Sequence, residues 1–322
     1  MFMSKRSKTN SRPKALYRVK NWSEYDKALV KRGSITFWLS DDFEEVWLYT
    51  GEKQRGSQFD YSDKAIEIML TIKEVFHMTN RSVEGFVRSM FQMMNIHLPV
   101  PDHSTLSKRG KTLNVKLPGK SGGSMNLVLD STGLKIYGEG EWKVRKHGYS
   151  KRRTWRKLHL GANPDTGEIQ TVILTENSIS DDAVVKEMLE QIEQTLLACA
   201  ADGAYDKRKV YDVLNAHSPE VEILIPPRKN ARIWQHGNLK AKPLKRDENL
   251  RYIREHGRRH WKEDSGYHMR SLAETVMFRL KTIFGDELSA RSLEAQSTQA
   301  LIRCMALNKM THLGMPESCQ VA

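Results

Sequence analysis

The chain has little cysteine and no long apolar run. Cys199, Cys304 and Cys319 are its three cysteines and lie far apart, which excludes a disulfide framework and metal-ligand spacing and fits reduced thiols in the cytoplasm. No stretch approaches the ~20 apolar residues of a membrane span. Residues 1–20 lack the apolar middle of a signal peptide. They also contain no acidic residue, only Lys5, Arg6, Lys8, Arg12, Lys14, Arg18 and Lys20 as charges. This segment reads as a basic flexible arm that either follows phosphates or merely solubilises the chain.

What is present is a long, basic chain. With 322 residues, 39% of them hydrophobic, there is material for a sizeable core and two or more domains. The formal net charge of +13 points to a polyanionic partner. A basic housekeeping enzyme or a membrane-surface protein would share that charge. No basic amphipathic helix with bulky apolar residues stands out, however, so nucleic acid is the preferred partner and no membrane is expected.

After an apolar run at 34–39, Ser40 is expected to cap a helix carrying Asp41, Asp42, Glu44 and Glu45 in its first turns. Ser62 can cap a helix to about Met78. Asn80 can cap another, with Val83, Phe86, Val87, Met90, Phe91 and Met94 at helical period. A stiff bend, Leu98-Pro99-Val100-Pro101, leads to Asp102 and a short polar helix at 103–111 bearing Ser104, Thr105, Ser107, Lys108 and Arg109. Two amphipathic helices, a bend and a short basic helix resemble a helix-turn-helix reader of DNA; a structural bundle is the plainer alternative.

A Pro-, Gly- and Ser-bearing stretch at 112–124 reads as a linker. Beyond it a strand is expected to end in Asp130, before a Ser-Thr-Gly turn. Residues 155–160 and 169–174 alternate like strands, with an N-P-D-T-G turn between them. Ser180 opens a helix, with Asp181 and Asp182 as first-turn dipole partners. Residues 196–201 form a buried strand running into Asp202. A helix at 207–216 and a strand at 221–225 follow, then a basic connection at about 228–262. Early hairpins followed by alternating helices and strands imply an α/β domain with a mixed sheet flanked by helices. Residues 287–309 suggest one or two closing helices, and the last eight residues look disordered.

The stretch 267–281 organises the rest. At roughly 100° per residue, Tyr267, Arg270, Glu274 and Lys281 share one narrow helical face, while Leu272, Ala273, Val276, Leu280 and Ile283 form a core stripe. By itself this is an ordinary amphipathic helix with an i,i+4 ion pair. Asp130 and Asp202 alter that reading. Each follows an apolar run and precedes a glycine-bearing turn, in L-V-L-D-S-T-G and A-C-A-A-D-G-A-Y-D. A lone strand-end aspartate is more often a turn or cap residue, but two of them with one helical glutamate can converge at a sheet edge. Carboxylates without His or Cys suit hard divalent ions. Asp206 reads as structural. No catalytic role is expected for His147 or His159, and Trp142 and Trp155 read as core.

D-S-T-G-L-K, A-D-G-A-Y-D and the spacing Y-x2-R-x3-E-x6-K together resemble the DDE transposases of bacterial insertion sequences, specifically the insertion-sequence-five family. The resemblance implies an RNase H-like catalytic domain in which Asp130, Asp202 and Glu274 hold Mg²⁺ or Mn²⁺, expected as two ions. It further implies that Arg270 contacts phosphate near the cut and that Tyr267 and Lys281 position the DNA end. The expected organisation is a basic arm (1–20), an all-α DNA-binding region (21–111, helix-turn-helix-like from about 62), a linker (112–124), the catalytic domain (125–285) with its basic insertion, and C-terminal helices and tail (286–322). The implied activity is cleavage at terminal inverted repeats and strand transfer into target DNA, by a homodimer on double-stranded DNA, in the bacterial cytoplasm at the nucleoid. The alternatives are an inactive, transposase-derived DNA-binding regulator and an RNase H-like nuclease that cuts without joining.

Overall fold

The computed structural model describes residues 16–52, 56, 58–117, 122–136, 155–235 and 243–321. The basic arm through residue 15, the basic stretch with Trp142 and His147, and Lys240 and Lys242 in the insertion lie outside the described residues.

The sheet is assembled in chain order from β2 (Ser124–Ile136), β3 (Trp155–Ala162), β4 (Ile169–Glu176), β5 (Thr195–Ala200) and β6 (Glu222–Leu224). Its spatial order is β4-β3-β2-β5-β6; β2, β3 and β4 are antiparallel, while β5 and β6 run parallel to β2. A hairpin meander first, then parallel strands reached through helices on the far side of β2, is the RNase H-like topology. Side chains alternate between two cores, as the two-residue period of a strand requires. Val128, Leu134, Leu158, Leu160 and Ala200 face one cluster, with helices α3 (Asp63–Val75), α4 (Asn80–Met93), α9 (Ser271–Phe284) and α10 (Leu293–Leu313). Met125, Leu127, Leu129, Cys199 and Ile223 face the other, with α6 (Val185–Leu189) and α7 (Arg208–His217).

The helical region precedes the sheet: α1 (Trp22–Arg32), α2 (Ile35–Trp38), α3, α4 and α5 (His103–Arg109). Ser62 caps α3 by accepting from the Ala65 amide, and Asp102 caps α5 by accepting from the Ser104 and Thr105 amides. The cap of α4 is Thr79, one residue before the expected Asn80. This region packs on α10, which also lies against β4. At the α3–α10 contact Glu74 meets Arg303 Nε at 2.6 Å and accepts from Gln299 Nε2 at 3.0 Å.

Several expectations are corrected. Residues 131–133 continue β2 and do not turn, because β3 offers partners throughout (Ser131 opposite His159, Gly133 opposite Lys157). Asp130 is therefore mid-strand. The segment after Ser40 is a series of turns. The basic connection contains α8 (Lys245–Asp264), kinked where Gly257 takes φ +87°. The 112–124 linker buries Leu113 and Val115, and its last residue opens β2. The C-terminal tail is ordered in part: β8 (Ser318–Val321) pairs antiparallel with β1 (Leu16–Val19), each satisfying the other's backbone groups. Residues 287–309 hold the short β7 (Glu287–Leu288), paired with β2, and the single helix α10. Among the described residues no helix is long and apolar enough to cross a membrane.

Candidate active site

Register brings the two aspartates together. The last paired rung between the parallel neighbours β2 and β5 is Val128–Ala200. Asp130 and Asp202 each lie two residues beyond it, so both continue the face of Val128 and Ala200. Adjacent strands are about 4.8 Å apart. Beyond that rung β5 ends, and β2 is paired on this side again only from Lys135, with β7. A single 3-10 turn, Tyr267–Arg270, packs against β2 and β5 here. The chain enters this turn through Gly266 at φ +69°, a left-handed conformation that glycine adopts without a Cβ clash.

Each aspartate is held by backbone. Asp130 Oδ1 accepts from the Ser131 amide at 2.9 Å, and Asp202 Oδ1 accepts from the Ala204 amide at 2.8 Å, capping the turn that follows β5. The turn-or-cap reading of Asp202 thus holds. From the other side, Arg270 Nη1 donates to Asp130 Oδ2 at 3.1 Å, and Nη2 donates to Glu274 Oε1. One guanidinium therefore links two carboxylates that are 144 positions apart in sequence. The Asp130 side chain is 16% exposed and that of Glu274 58%, so the cluster opens to solvent on the helix side. Burial raises the Asp130 carboxyl above its ordinary value. The Ser131 amide and Arg270 oppose that shift, while the charges of Asp202 and Glu274 add to it.

Tyr267, expected on the outer face of a continuous helix, is 7% exposed. Its ring packs against Trp261 at 5.4 Å between centroids, and Lys262 lies over it. The separate 3-10 turn resets the helical phase, so Tyr267 supports Arg270 from within. Leu272 is exposed instead of joining the core stripe, which runs through Ala273, Val276, Met277, Leu280 and Phe284. Lys281 remains on the flank of Glu274, near Asp286.

On α5, Ser104 and Lys108 are exposed, while Thr105 is half-buried, its hydroxyl 3.2 Å from Asp102 Oδ2. Arg109 is 8% exposed. It donates to Tyr61 O at 2.9 Å, pairs with Asp63 at 2.5 Å and stacks on Phe59. It therefore fastens α5 to the bundle and is not offered to DNA. Glu84 and Asp102 place carboxylates at the N-terminus of α5.

His159 is buried on the opposite face of the sheet, Nε2 3.0 Å from Thr175 Oγ1, and burial lowers its pKa to about 4. Asp182 bridges Lys207 and Lys209, and Asp206 pairs with Arg246 at 2.8 Å. These are structural ties. Two residues at the site escaped the sequence reading. Tyr205 is buried beside the aspartates, whose charges add to the burial that raises its pKa. Phe278 is an exposed ring on α9; its position four residues after Glu274 was the available signal.

Among the described residues no three His, Cys, Asp or Glu side chains stand close enough to hold an ion; Glu274 reaches Arg270 and not the aspartates. The donor set still fits a hard divalent cation. It is all oxygen, and its aspartates are fixed by backbone amides.

Two family models match the chain, both described as a transposase DDE domain, over residues 30–139 and 122–309. Among solved structures, a cryo-EM structure of the piggyBac transposase synaptic complex with hairpin DNA is similar over 88% of this chain and 74% of that one, at 10% identity and a TM-score of 0.38. The Drosophila P element transposase strand transfer complex is similar over 90% of this chain and 86% of that one, at 9% identity and a TM-score of 0.31.

Proposed function

Because this chain belongs to the DDE transposase family, enzymes that act on DNA, we propose that it binds the terminal inverted repeats of its own insertion sequence, cuts there and joins the freed ends to target DNA. The observation that carries this reading is that Arg270 joins Asp130 to Glu274 at the open edge of β2, where Asp202 lies two residues past the same rung as Asp130. The insertion-sequence-five assignment rests on D-S-T-G-L-K and A-D-G-A-Y-D together with the Tyr267, Arg270, Glu274 and Lys281 spacing.

In this reading Asp130, Asp202 and Glu274 hold Mg²⁺ or Mn²⁺, two ions in the full site. Held there, such ions would supply activation of a water or a 3′-hydroxyl and stabilisation of the leaving oxygen. The Ser131 and Ala204 amides keep the two aspartates in place. Arg270 exchanges a carboxylate for a phosphate oxygen of the strand being cut, a charge-assisted contact of the same kind. Hydrolysis forms a water-derived P–O bond and breaks the P–O3′ bond, leaving a 3′-hydroxyl. Joining forms a bond from that hydroxyl to target phosphorus and breaks the target's own P–O3′ bond. Lys281, about 10 Å along the axis from Glu274 at ~1.5 Å per residue, positions DNA away from the chemistry. Ser104, Thr105 and Lys108 present α5 to the repeat. Two ends must be handled together, so a homodimer on DNA is expected, in the bacterial cytoplasm at the nucleoid.

The test is cleavage and joining of repeat-bearing DNA with Mg²⁺. Asp130→Ala, Asp202→Ala and Glu274→Ala should each abolish both steps and leave end binding largely intact; near-normal cleavage by any of them would refute the site. Pre-cut ends supplied with target DNA separate a transposase from a nuclease, since a nuclease yields no joined product. A DNA-binding regulator would cut neither substrate.

A further inference from the structure

We propose that Phe278 is a base-stacking residue: its ring takes the face of a base unstacked next to the phosphate that is cut. This rests on the proposed function. At about 100° per residue, Phe278 lies about 40° from Glu274 and about 60° from Lys281 around α9, and about 6 Å and 4.5 Å from them along the axis. A strand whose phosphate is cut beside Glu274 and whose backbone reaches Lys281 passes over this ring.

The ring is not packing the fold. Phe278 is 70% exposed, whereas Val276, Met277, Leu280 and Phe284 of the same helix are buried. Among the described residues it has no aromatic or cationic partner. Its neighbours on the outer face are Ser271, Thr275 and Thr282, all exposed, so it is a solitary ring in a polar surface. The other flank of α9 is already engaged, with Arg279 donating to Thr311 Oγ1 at 3.1 Å. An aromatic ring beside a cation and a phosphate-cutting site suits a nucleobase, because every base offers a π-face and stacking tolerates sequence. A protein partner would need a wider apolar patch than one ring.

The test uses the full chain and duplex DNA carrying the terminal repeat, with 2-aminopurine placed in turn at each position flanking the cut. Wild-type protein should raise fluorescence at one position as that base leaves the duplex stack. Phe278→Ala should abolish the rise and slow cleavage about 10- to 100-fold, the scale of one base–aromatic stack. Its thermal midpoint and end affinity should stay close to wild type. Phe278→Trp should restore both signals. An abasic site at the responsive position should rescue Phe278→Ala but not Glu274→Ala, a pattern that a defect in folding or general binding would not produce. Normal cleavage by Phe278→Ala, an unchanged fluorescence rise, or a defect that persists on abasic DNA would overturn the proposal. Wild-type protein that fails to cut repeat DNA, or Glu274→Ala that cuts it, would instead overturn the proposed function, and this proposal with it.

Discussion

The contact of Arg303 with Glu74 and that of Arg270 with Asp130 and Glu274 pair the same residue types and behave in opposite ways. At the α3–α10 contact, Glu74 and Arg303 are both buried, with Gln299 and Lys73 filling the remaining valences. Burial alone would raise the Glu74 carboxyl, but Lys73 and Arg303 outweigh it and hold it below its ordinary value. At the edge of β2, Arg270 bonds Asp130 and Glu274, and burial above all raises Asp130. The first cluster is closed and satisfied; the second opens to solvent at Glu274. The same residue types thus make a closed tie at one place and a solvent-open contact at the other, according to charge balance and enclosure.

That contrast can be broken experimentally. The largest effect belongs to the open cluster. Alanine at Asp130, Asp202 or Glu274 should cut cleavage on the order of 10³-fold or more, since several kcal/mol of transition-state stabilisation go with the ligands. Denaturant unfolding of the same variants should show no comparable loss of stability. The closed cluster reverses the pattern: Arg303→Ala leaves Glu74 as a buried, under-compensated charge and should cost about 3–5 kcal/mol in urea unfolding.

Arg270→Gln stands between them. It should slow cleavage roughly 10²-fold, the scale of losing one preorganised donor, and Arg270→Lys should not restore it fully, because an ammonium cannot bridge two carboxylates as a fork does. Single-turnover cleavage at saturating DNA is the readout.

Acid unfolding sharpens the comparison by sign. The Glu74 pKa is lower folded than unfolded, so its stabilisation is complete above about 4.5, its ordinary value, and disappears as pH falls through the folded value. Glu74→Gln should lose that acid limb. Asp130 runs the other way: its raised value means a contribution that declines as pH rises through the window between the unfolded and folded values. Asp130→Asn, measured in chelator at neutral pH, should be more stable than wild type while inactive. The smallest effect is expected at a simple helix cap, where Asp102→Ala should cost about 1 kcal/mol and leave cleavage of pre-bound ends unchanged.

Much of the site was legible in linear order, for a local reason. The apolar runs before Asp130 and Asp202 mark neighbouring strands, although only the run before Asp202 ends there, and the Arg270–Glu274 spacing is one helical turn. Tyr267 and Leu272 were misplaced because helical phase was carried through a 3-10 turn, whose twist per residue differs. Arg109 was misassigned because its exposure depends on Tyr61, Asp63 and Phe59, more than forty positions away. The pairing of residues 16–19 with 318–321 was invisible for the same reason, since neither segment has a pattern that names its partner.

The amino-acid sequence by itself determined the helices at 63–75, 80–93 and 103–109 and most strands of the mixed sheet, because these follow from side-chain periodicity and short-range spacing. Only the tertiary structure decided that Asp130 and Asp202 stand two residues past the same rung, that Arg270 joins Asp130 to Glu274, and that Tyr267 turns inward. Those facts depend on which strands become neighbours and on where a helix begins its phase, and both are set by packing between distant parts of the chain.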